Sequence, residues 1–198
     1  MKTIVYFITA LILVSGSISA QLPEGFYMSL DDSSLEPGNP KDYNIGTDKS
    51  TKYGGRLSAV IESRNSTPEG RAMLVQEVTA ADYRGKRIRI SAFVNTDNVV
   101  YWSGLLMHIE GTRYGKADPR IAADFMLDRP IKGTMEWRKK DIVMDVPPEA
   151  QRIIFGVWLE GKGKIWADDF QIEIVGNDVP VTAGRKVLKY PRNLNMEE

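Results

Sequence analysis

Cysteine is absent from this 198-residue chain, and histidine occurs once, as His108. Without thiols the chain can form no disulfide and carry no lipid on a cysteine, so its stability depends on its own hydrophobic core. One imidazole without a thiolate is too small a ligand set for an ordinary zinc site. A Ser-His-Asp triad would have to use His108, and no Gly-x-Ser-x-Gly elbow is present. We therefore expect neither nucleophilic nor zinc-dependent catalysis.

An excess of charge is also lacking, because 26 basic residues balance 26 acidic ones. Nucleic-acid-binding domains normally carry a basic stripe or patch. The basic clusters at 84–89 and 185–192 are more typical of a solvated strand face and a solvated tail. We therefore expect no nucleic-acid partner.

Long hydrophobic runs are missing except for one near the start, from Ile4 to Val14. This run is shorter than the ~20 residues of a membrane-spanning helix. It follows Lys2 and precedes the small residues before Gln21, a pattern typical of a secretory signal. We predict cleavage after Ala20, no membrane span afterwards, and a secreted or periplasmic protein. The predicted organisation is a signal peptide over 1–20, one domain over 21–176 and an extended tail over 177–198.

What the sequence does contain is short segments that alternate between apolar and polar residues, separated by turn residues. This pattern predicts β-strands, and no stretch has the 3.6-residue period of a long helix. The predicted strands are 25–30, 56–63, 71–79, 86–95, 99–110, 121–126, 139–146, 152–160 and 164–175. Together they predict an all-β fold, a two-sheet antiparallel β-sandwich of the jelly-roll type.

Alternation also predicts which side chains face the core, because neighbouring side chains on a strand point to opposite faces. The predicted inward residues are Ile88, Ile90, Ala92 and Val94; Tyr101, Leu105, Met107 and Ile109; Ile153, Phe155, Val157 and Leu159; and Trp166, Phe170, Ile172 and Ile174. Trp102 and Trp158 break the pattern, since each lies among polar residues on the opposite face of its strand. If their strands are neighbours, one sheet has an aromatic and polar outer surface.

That surface is the first candidate site. Trp102 and Trp158, with His108 and Glu160, predict a sugar platform, because an indole ring covers the apolar face of a pyranose while polar groups bind its hydroxyls. The alternative is that a loop or the tail covers both rings as a secondary core. A platform requires both rings to be exposed.

A second candidate is the corner formed by Asp124, Asp128 and Arg129. Carboxylate and guanidinium groups can hydrogen-bond a polyol in pairs, so this corner is a further predicted ligand contact. The alternative is an internal ion pair that holds the loop around Pro130 in place.

A structural calcium ion is the third candidate. The arrangement resembles the structural calcium site of many carbohydrate-binding jelly rolls, and this resemblance implies that Asp169 in the last predicted strand and Asp31 after the first would supply carboxylates. The alternative is that these charges at a strand edge are satisfied by turn amides. No other cofactor is expected.

Three segments resemble a known family. Residues 75–80 with the Tyr83-Arg84-Gly85-Lys86 turn resemble galactose-binding-like jelly rolls. Residues 125–134 with Trp137, and residues 155–169, are similar to bacterial jelly-roll domains, some secreted and some fused behind AraC-type DNA-binding domains. The resemblance implies a jelly roll akin to carbohydrate-binding modules. It implies no particular activity, and no helix-turn-helix segment is found in this sequence.

We therefore predict a secreted, non-catalytic module that binds a carbohydrate or another polyhydroxylated ligand. One alternative is a glycan-active enzyme that uses Glu160 with Asp124 or Asp128 as a carboxylate pair. The other is an envelope protein whose aromatic face contacts a protein partner.

Overall fold

A computed structural model describes residues 18–19, 22–29, 40–113 and 115–182. Its strands are β1 (Ile18–Ser19), β2 (Phe26–Ser29), β3 (Tyr43–Asp48), β4 (Ser58–Ser63), β5 (Arg71–Thr79), β6 (Arg87–Val99), β7 (Trp102–Arg113), β8 (Lys116–Asp124), β9 (Gly133–Asp145), β10 (Ala150–Glu160) and β11 (Lys164–Val175). One turn of 3-10 helix, Pro40–Asp42, precedes β3. None of the described segments forms a helix long and apolar enough to span a bilayer.

The strands form two sheets in which the paired neighbours are antiparallel. The six-stranded sheet has the order β1-β3-β4-β11-β6-β9, and the five-stranded sheet has the order β2-β5-β10-β7-β8. Strands from both halves of the chain pair in the middle of each sheet, β4 with β11 and β5 with β10. The predicted two-sheet antiparallel jelly roll is confirmed.

Side chains from both sheets fill the space between them. On β6 the predicted inward residues Ile88, Ile90, Ala92 and Val94 are fully buried, and on β10 Ile153, Phe155, Val157 and Leu159 are buried in the same cluster. These two predictions are confirmed. Both strands are paired on each side, so the alternation of their side chains shows directly which residues face the core.

The strand β11 departs from the predicted alternation because it contains a β-bulge. Asp168 pairs with Phe93 and Gln171 with Ser91, so two residues of β11 lie opposite one residue of β6. Asp169, within the bulge, has a φ of 51°. An extra residue shifts every later side chain to the other face of the sheet.

The bulge explains why the prediction for Trp166 is wrong. Before the bulge, Ile165 and Ala167 face the core, and after it Phe170 and Ile172 pack against the core. Trp166 therefore lies on the outer face, where its Nε1 donates to Asp48 Oδ2 at 2.8 Å. Ile174, also predicted to be inward, is 52% exposed at the end of the strand.

Strand β3 was not predicted, and β8 and β9 extend beyond their predicted bounds. Tyr43, Thr47 and Asp48 are all buried in β3. Polar residues in half of its positions remove the alternating signal, although Asp48 is satisfied by hydrogen bonds from Trp166, Ser50 and Thr51. A strand that is stabilised by such specific hydrogen bonds has no hydrophobic period to detect.

The two edge strands on one side of the sandwich are joined by Thr182. Its N–H donates to the Val143 carbonyl in β9 at 3.0 Å, and its Oγ1 accepts from the Val143 N–H at 2.8 Å. The same hydroxyl donates to Asp124 Oδ2 at the end of β8, also at 2.8 Å. Thr182 thus lies at the edge of β9, and the rest of the predicted tail, 183–198, lies outside the described residues.

The predicted signal peptide also lies almost entirely outside the described residues. Within it, Ile18 pairs with Asp48 and Ser19 with Thr47 at the edge of the six-stranded sheet.

Candidate functional site

The outer face of the five-stranded sheet brings together the four residues predicted to form a sugar platform. Glu160 on β10 pairs with Trp102 on β7, and two residues along, Trp158 pairs with Gly104. His108 lies further along β7 and pairs with Ile154. Since directly paired residues of antiparallel strands point to the same side, all four side chains share this face.

Trp158, however, is not exposed to solvent. It is 0% exposed and forms a second apolar cluster with Met73, Val75, Leu106 and Ile154, outside the central core. The prediction that both indole rings are exposed is therefore wrong. The alternative, in which a covering segment makes a secondary core on this face, describes the geometry of Trp158.

The cover over Trp158 is the segment that connects β8 to β9. Phe125 meets the indole edge-on, with ring centroids 6.5 Å apart and an angle of 80° between the ring planes. A Cβ added to Gly104 would lie 3.3 Å from Met126 Cβ and 3.5 Å from Trp158 Nε1, so glycine lets Met126 and the indole pack over β7. On the opposite side, the Arg71 guanidinium lies 5.6 Å from the centre of the indole.

Hydrogen bonds between the backbone of this covering segment and residues of β7 and β8 hold the segment in place. The Met126 N–H donates to Asp124 Oδ1 at 2.8 Å, and the Ile131 N–H donates to the Ser103 carbonyl at 2.9 Å. The Ser103 hydroxyl in turn donates to the Ile131 carbonyl at 2.8 Å. The segment is thus attached to β7 and β8 at both of its ends.

Trp158 Nε1 is buried and has no hydrogen-bond partner among the described residues. A buried N–H without an acceptor costs about 1–3 kcal/mol of stability. The second unsatisfied atom nearby is Glu160 Oε2, which lies 3.6 Å from Arg71 Nη2 and accepts no hydrogen bond within the described part of the chain. The floor of this face therefore retains unused hydrogen-bonding capacity.

The exposed aromatic surface of this face is at its rim, where Tyr101 stacks on Trp102. The two ring centroids are 5.0 Å apart with an angle of 12° between the planes, and Tyr101 is 50% exposed. Lys132 Nζ lies 5.8 Å from the centre of the Trp102 ring. Tyr101 was predicted to face the core, but it precedes β7 in the turn and so does not follow the alternation of that strand.

A glycine next to the rim makes the position of Tyr101 possible. Gly161 has a φ of 77°, and a Cβ at this position would come within 2.8 Å of Tyr101 Cβ. Both the left-handed backbone and the close contact require glycine here. The turn between β10 and β11 therefore fixes the edge against which Tyr101 lies.

Charged side chains continue along the same face beyond the aromatic residues. Arg152 contacts Glu110 and also lies 3.2 Å from Glu77, while His108 Nε2 lies 3.5 Å from Glu110 Oε1. The negative charge of Glu110, together with that of Glu77, outweighs desolvation and raises the pKa of Arg152. This row combines donors and acceptors that remain partly exposed.

The Asp124, Asp128 and Arg129 corner lies apart from this face. Asp124 pairs with Met107, a core residue, so its carboxylate points to the inner side of the sheet and its side chain is only 3% exposed. Arg129 Nη2 donates to Asp124 at 2.5 Å and Arg129 Nη1 to Asp128 at 2.6 Å. Burial disfavours the charge of Arg129, but the hydrogen bonds and negative charges of both aspartates outweigh burial and raise its pKa.

The geometry of this corner is that of an internal ion pair that anchors the covering segment. The predicted carboxylate pair was Glu160 with Asp124 or Asp128, and the structure contradicts the first of these, because Asp124 and Glu160 lie on opposite sides of the five-stranded sheet. These two side chains cannot attack one glycosidic bond from the positions they occupy.

The structure describes one of the two residues predicted to bind calcium. Asp31 lies outside the described residues, and Asp169 Oδ2 accepts a hydrogen bond from Gln171 at 3.2 Å. The adjacent Asp168 accepts from the backbone N–H groups of Tyr53 and Gly54 at 2.9 and 3.0 Å. Across the ranges that the structure describes, no group of three or more histidine, aspartate and glutamate side chains could hold a metal ion.

A second aromatic group, not predicted as a site, lies on the outer face of the six-stranded sheet. Tyr53 stacks on Phe93 with ring centroids 3.5 Å apart and an angle of 9°, and Trp137 is 6.1 Å from Tyr53. The signal for this group was the placement of Phe93 among polar residues on the outer face of β6. Its partners come from the β3–β4 loop and from β9, which no local pattern connects.

Comparison with known proteins found a relative that is similar in sequence and solved structures that are similar in fold. No family model matches the chain. The uncharacterized HTH-type transcriptional regulator YbfP of Bacillus subtilis (strain 168) is 34% identical over 168 residues, which cover 83% of this chain and 56% of that protein. The chain thus spans little more than half the length of the curated relative it matches.

Among solved structures, the family 16 carbohydrate-binding module 2 superposes with a TM-score of 0.50 at 12% identity, covering 69% of this chain and 89% of that one. The enzymatically active domain of the bacteriophage CBA120 tailspike protein 4 gives 0.52 at 14% identity, covering 77% and 20%. The resemblance predicted from the sequence is confirmed. At these identities the similarity to solved structures concerns the fold.

A third structure is the Clostridium thermocellum xylanase 10B, with its CBM22-1 and GH10 modules, in complex with xylohexaose. It gives a TM-score of 0.50 at 14% identity, covering 82% of this chain and 28% of that one. The chain therefore has the sandwich fold of carbohydrate-binding modules.

Proposed function

We propose that the chain is a non-catalytic module that binds a carbohydrate, or a similar polyhydroxylated ligand, at the rim of its five-stranded face. The observation that carries this proposal is the Tyr101 ring, half-exposed and stacked on Trp102. A fixed, open aromatic ring can take the apolar C–H face of a sugar. Because Tyr101 is already stacked, little side-chain entropy is lost on binding.

Polar groups next to Tyr101 supply the other half of a sugar site. Glu160 pairs with Trp102 across the strands, and its ion pair with Arg71 is only partly shielded from solvent. A carboxylate and a guanidinium held 3.6 Å apart can accept from and donate to neighbouring hydroxyls of one ring. His108 and Glu110 extend the polar row for a longer chain of sugars.

In this proposal Trp158 has a supporting role and does not form the sugar platform. Its buried ring underlies Arg71 and orders the floor on which the guanidinium lies. The Asp124–Arg129 pair likewise acts indirectly, by anchoring the covering segment from which Lys132 reaches Trp102. The fold relatives named as carbohydrate-binding modules support the choice of ligand class.

The test is binding to a panel of neutral glycans, followed by calorimetry on the best ligand. We expect Tyr101→Ala and Glu160→Gln each to weaken binding by about tenfold or more, equivalent to about 1.4 kcal/mol. Tyr53→Ala is the matched control, because it removes an equally exposed stacked tyrosine from the other sheet. Binding that is unchanged in both rim variants, with their folding intact, would refute the proposal.

We further propose that the protein is exported and acts in the periplasm or outside the cell. The support is the sequence pattern of residues 1–20. Cleavage after Ala20 would remove β1, which contributes only two residues at the edge of the six-stranded sheet. Mass spectrometry of the protein from its native cells should find Gln21 at the N-terminus, and an intact start in a cytoplasmic fraction would contradict export.

A further inference from the structure

The Tyr53, Phe93 and Trp137 group, termed here the second platform, has the geometry of a binding surface. Phe93 covers one face of the Tyr53 ring at 3.5 Å, while Tyr53 as a whole remains 49% exposed. Trp137 is tilted by 59° against Tyr53 and is half-buried beside it. A ring with one face stacked on protein and the other open to solvent is suited to contact a flat apolar surface.

Two aspartates hold the loop that carries Tyr53. Asp168 lies next to Phe93 in the sheet, and its Oδ2 accepts from the N–H groups of Tyr53 and Gly54. Asp48 Oδ1 accepts from the Ser50 N–H at 2.7 Å and from the Thr51 N–H at 3.3 Å. These hydrogen bonds fix the backbone of residues 50–54. The Tyr53 ring is therefore held in position before any ligand binds.

Two exposed lysines lie beside the second platform, together with the Asp168 carboxylate described above. Lys139 pairs with Phe93 across β6 and β9, so it extends from the same face of the sheet. It is exposed, and within the described ranges it makes no ion pair. Lys52, adjacent to Tyr53, is a second cation, whose Nζ donates to the Lys49 carbonyl. An anionic group on the ligand would thus meet two exposed lysines at this edge of the platform.

The surroundings of the platform disfavour a protein partner. A stable protein interface buries about 800 Å² on each side, and its centre is depleted of charged residues. Three rings cannot supply that area, and the rest of this face is charged: Arg89 pairs with Glu173 at 3.1 Å and with Asp141 at 3.6 Å. A sugar chain needs only a small aromatic contact and accepts a polar border.

We propose that the second platform binds a carbohydrate chain that bears carboxylates, such as a chain containing uronic acids. Tyr53 takes the apolar face of one sugar ring, and Lys139 and Lys52 attract the carboxylates. The platform is on the opposite sheet from the Tyr101 rim, so it acts independently of the neutral-sugar site proposed above. The intact chain would thereby contact two glycan surfaces, one on each side.

Calorimetry with sodium polygalacturonate as the probe tests this proposal at low and at high salt. We expect Tyr53→Ala to weaken binding about tenfold. Lys139→Gln should weaken it about threefold and flatten its salt dependence, while Lys139→Arg should keep both. Ile174→Ala is the control, because it removes an exposed apolar side chain that belongs to neither proposed site, and it should leave polygalacturonate binding unchanged. Circular dichroism and the urea midpoint verify that each variant is folded.

Three results would overturn the proposal. These are polygalacturonate affinity unchanged by Tyr53→Ala, polygalacturonate affinity lost in Tyr101→Ala instead, and a dimer on sizing chromatography that dissociates in Tyr53→Ala. The last result would make a second copy of the chain the occupant of the platform. Because the neutral-glycan test depends on Tyr101 and Glu160, either proposal can fail while the other stands.

Discussion

The two outer faces of the sandwich each carry a half-exposed tyrosine stacked on another aromatic ring, yet they are built differently. On the five-stranded face, the segment after β8 seals Trp158 into an apolar floor and leaves Tyr101 at the rim. On the six-stranded face, the β3–β4 loop places Tyr53 on top of Phe93, in the open. Which aromatic surface is accessible is therefore decided by the segments that cross each face. The strand pattern alone does not decide it.

The largest difference between the faces should appear when one tryptophan is removed from each. Trp158→Ala empties a fully buried site, and we expect it to lower the free energy of unfolding by about 3–5 kcal/mol. Trp137→Ala removes a half-buried ring and should cost about 1 kcal/mol. Urea unfolding measures both values. Equal losses would contradict the difference in burial between the floor of the five-stranded face and the second platform.

The anchor of the covering segment is the next test. Arg129→Ala leaves the buried Asp124 carboxylate without its partner, so we expect a loss of about 2 kcal/mol at neutral pH. Arg129→Lys serves as the control that keeps the charge and should lose less. If Arg129→Ala is as stable as the wild type but no longer binds neutral glycans, the corner is a ligand contact and its role as an anchor is wrong.

On the other face, Asp168 plays the corresponding anchoring role for Tyr53. Asp168→Ala removes the acceptor of two backbone N–H groups, which become accessible to water because this loop is exposed. We therefore expect a stability loss of only about 1 kcal/mol, together with weaker binding of polygalacturonate. Binding at wild-type strength would show that the Tyr53 ring does not depend on this anchor.

The smallest expected effect is on the stability of the protein at acidic pH. Burial alone would raise the pKa of Asp48, but the hydrogen bonds from Trp166, Ser50 and Thr51 and the charge of Lys164 outweigh it and lower the pKa. A lowered pKa means that the stabilisation is present above the unfolded value of about 3.9 and is lost as the pH falls through the folded value. Between about pH 5 and pH 2, Asp48→Asn should therefore lose less stability than the wild type, as measured by thermal unfolding. Equal losses would contradict this linkage.

The sequence was sufficient to predict the architecture and the inward residues of β6 and β10. Both are regular central strands, so every second residue along them faces the core. It was not sufficient for β11, where the bulge at Asp169 reverses the faces. No local signal distinguishes a bulge from an ordinary Asp-Asp pair within a strand. The error in the inward assignment of Trp166 follows from that single extra residue.

Strand pairing places the four predicted platform residues on one face, whereas the predicted exposure of both indole rings is wrong. Register brings Trp102, Trp158, His108 and Glu160 to one face, as strand pairing implied. The burial of Trp158 depends on Phe125 and Met126, more than thirty residues earlier in the chain. Tyr53 lies outside every predicted strand, and its stacking partner Phe93 is distant in sequence, so no local pattern marked it. Contacts between loops and sheet faces are long-range, and periodicity carries no information on them.

The four tryptophans offer the most direct measurement, because their indole N–H groups report on different places in the molecule. In an NMR titration with each indole signal assigned by a Trp→Phe variant, a neutral glycan should shift the Trp102 signal and leave Trp137 unchanged. The Trp166 indole N–H donates to Asp48, and its signal should move with neither the neutral glycan nor polygalacturonate. A neutral glycan that shifts Trp137 and leaves Trp102 in place would contradict the claim that this protein binds sugars at the rim of its five-stranded face.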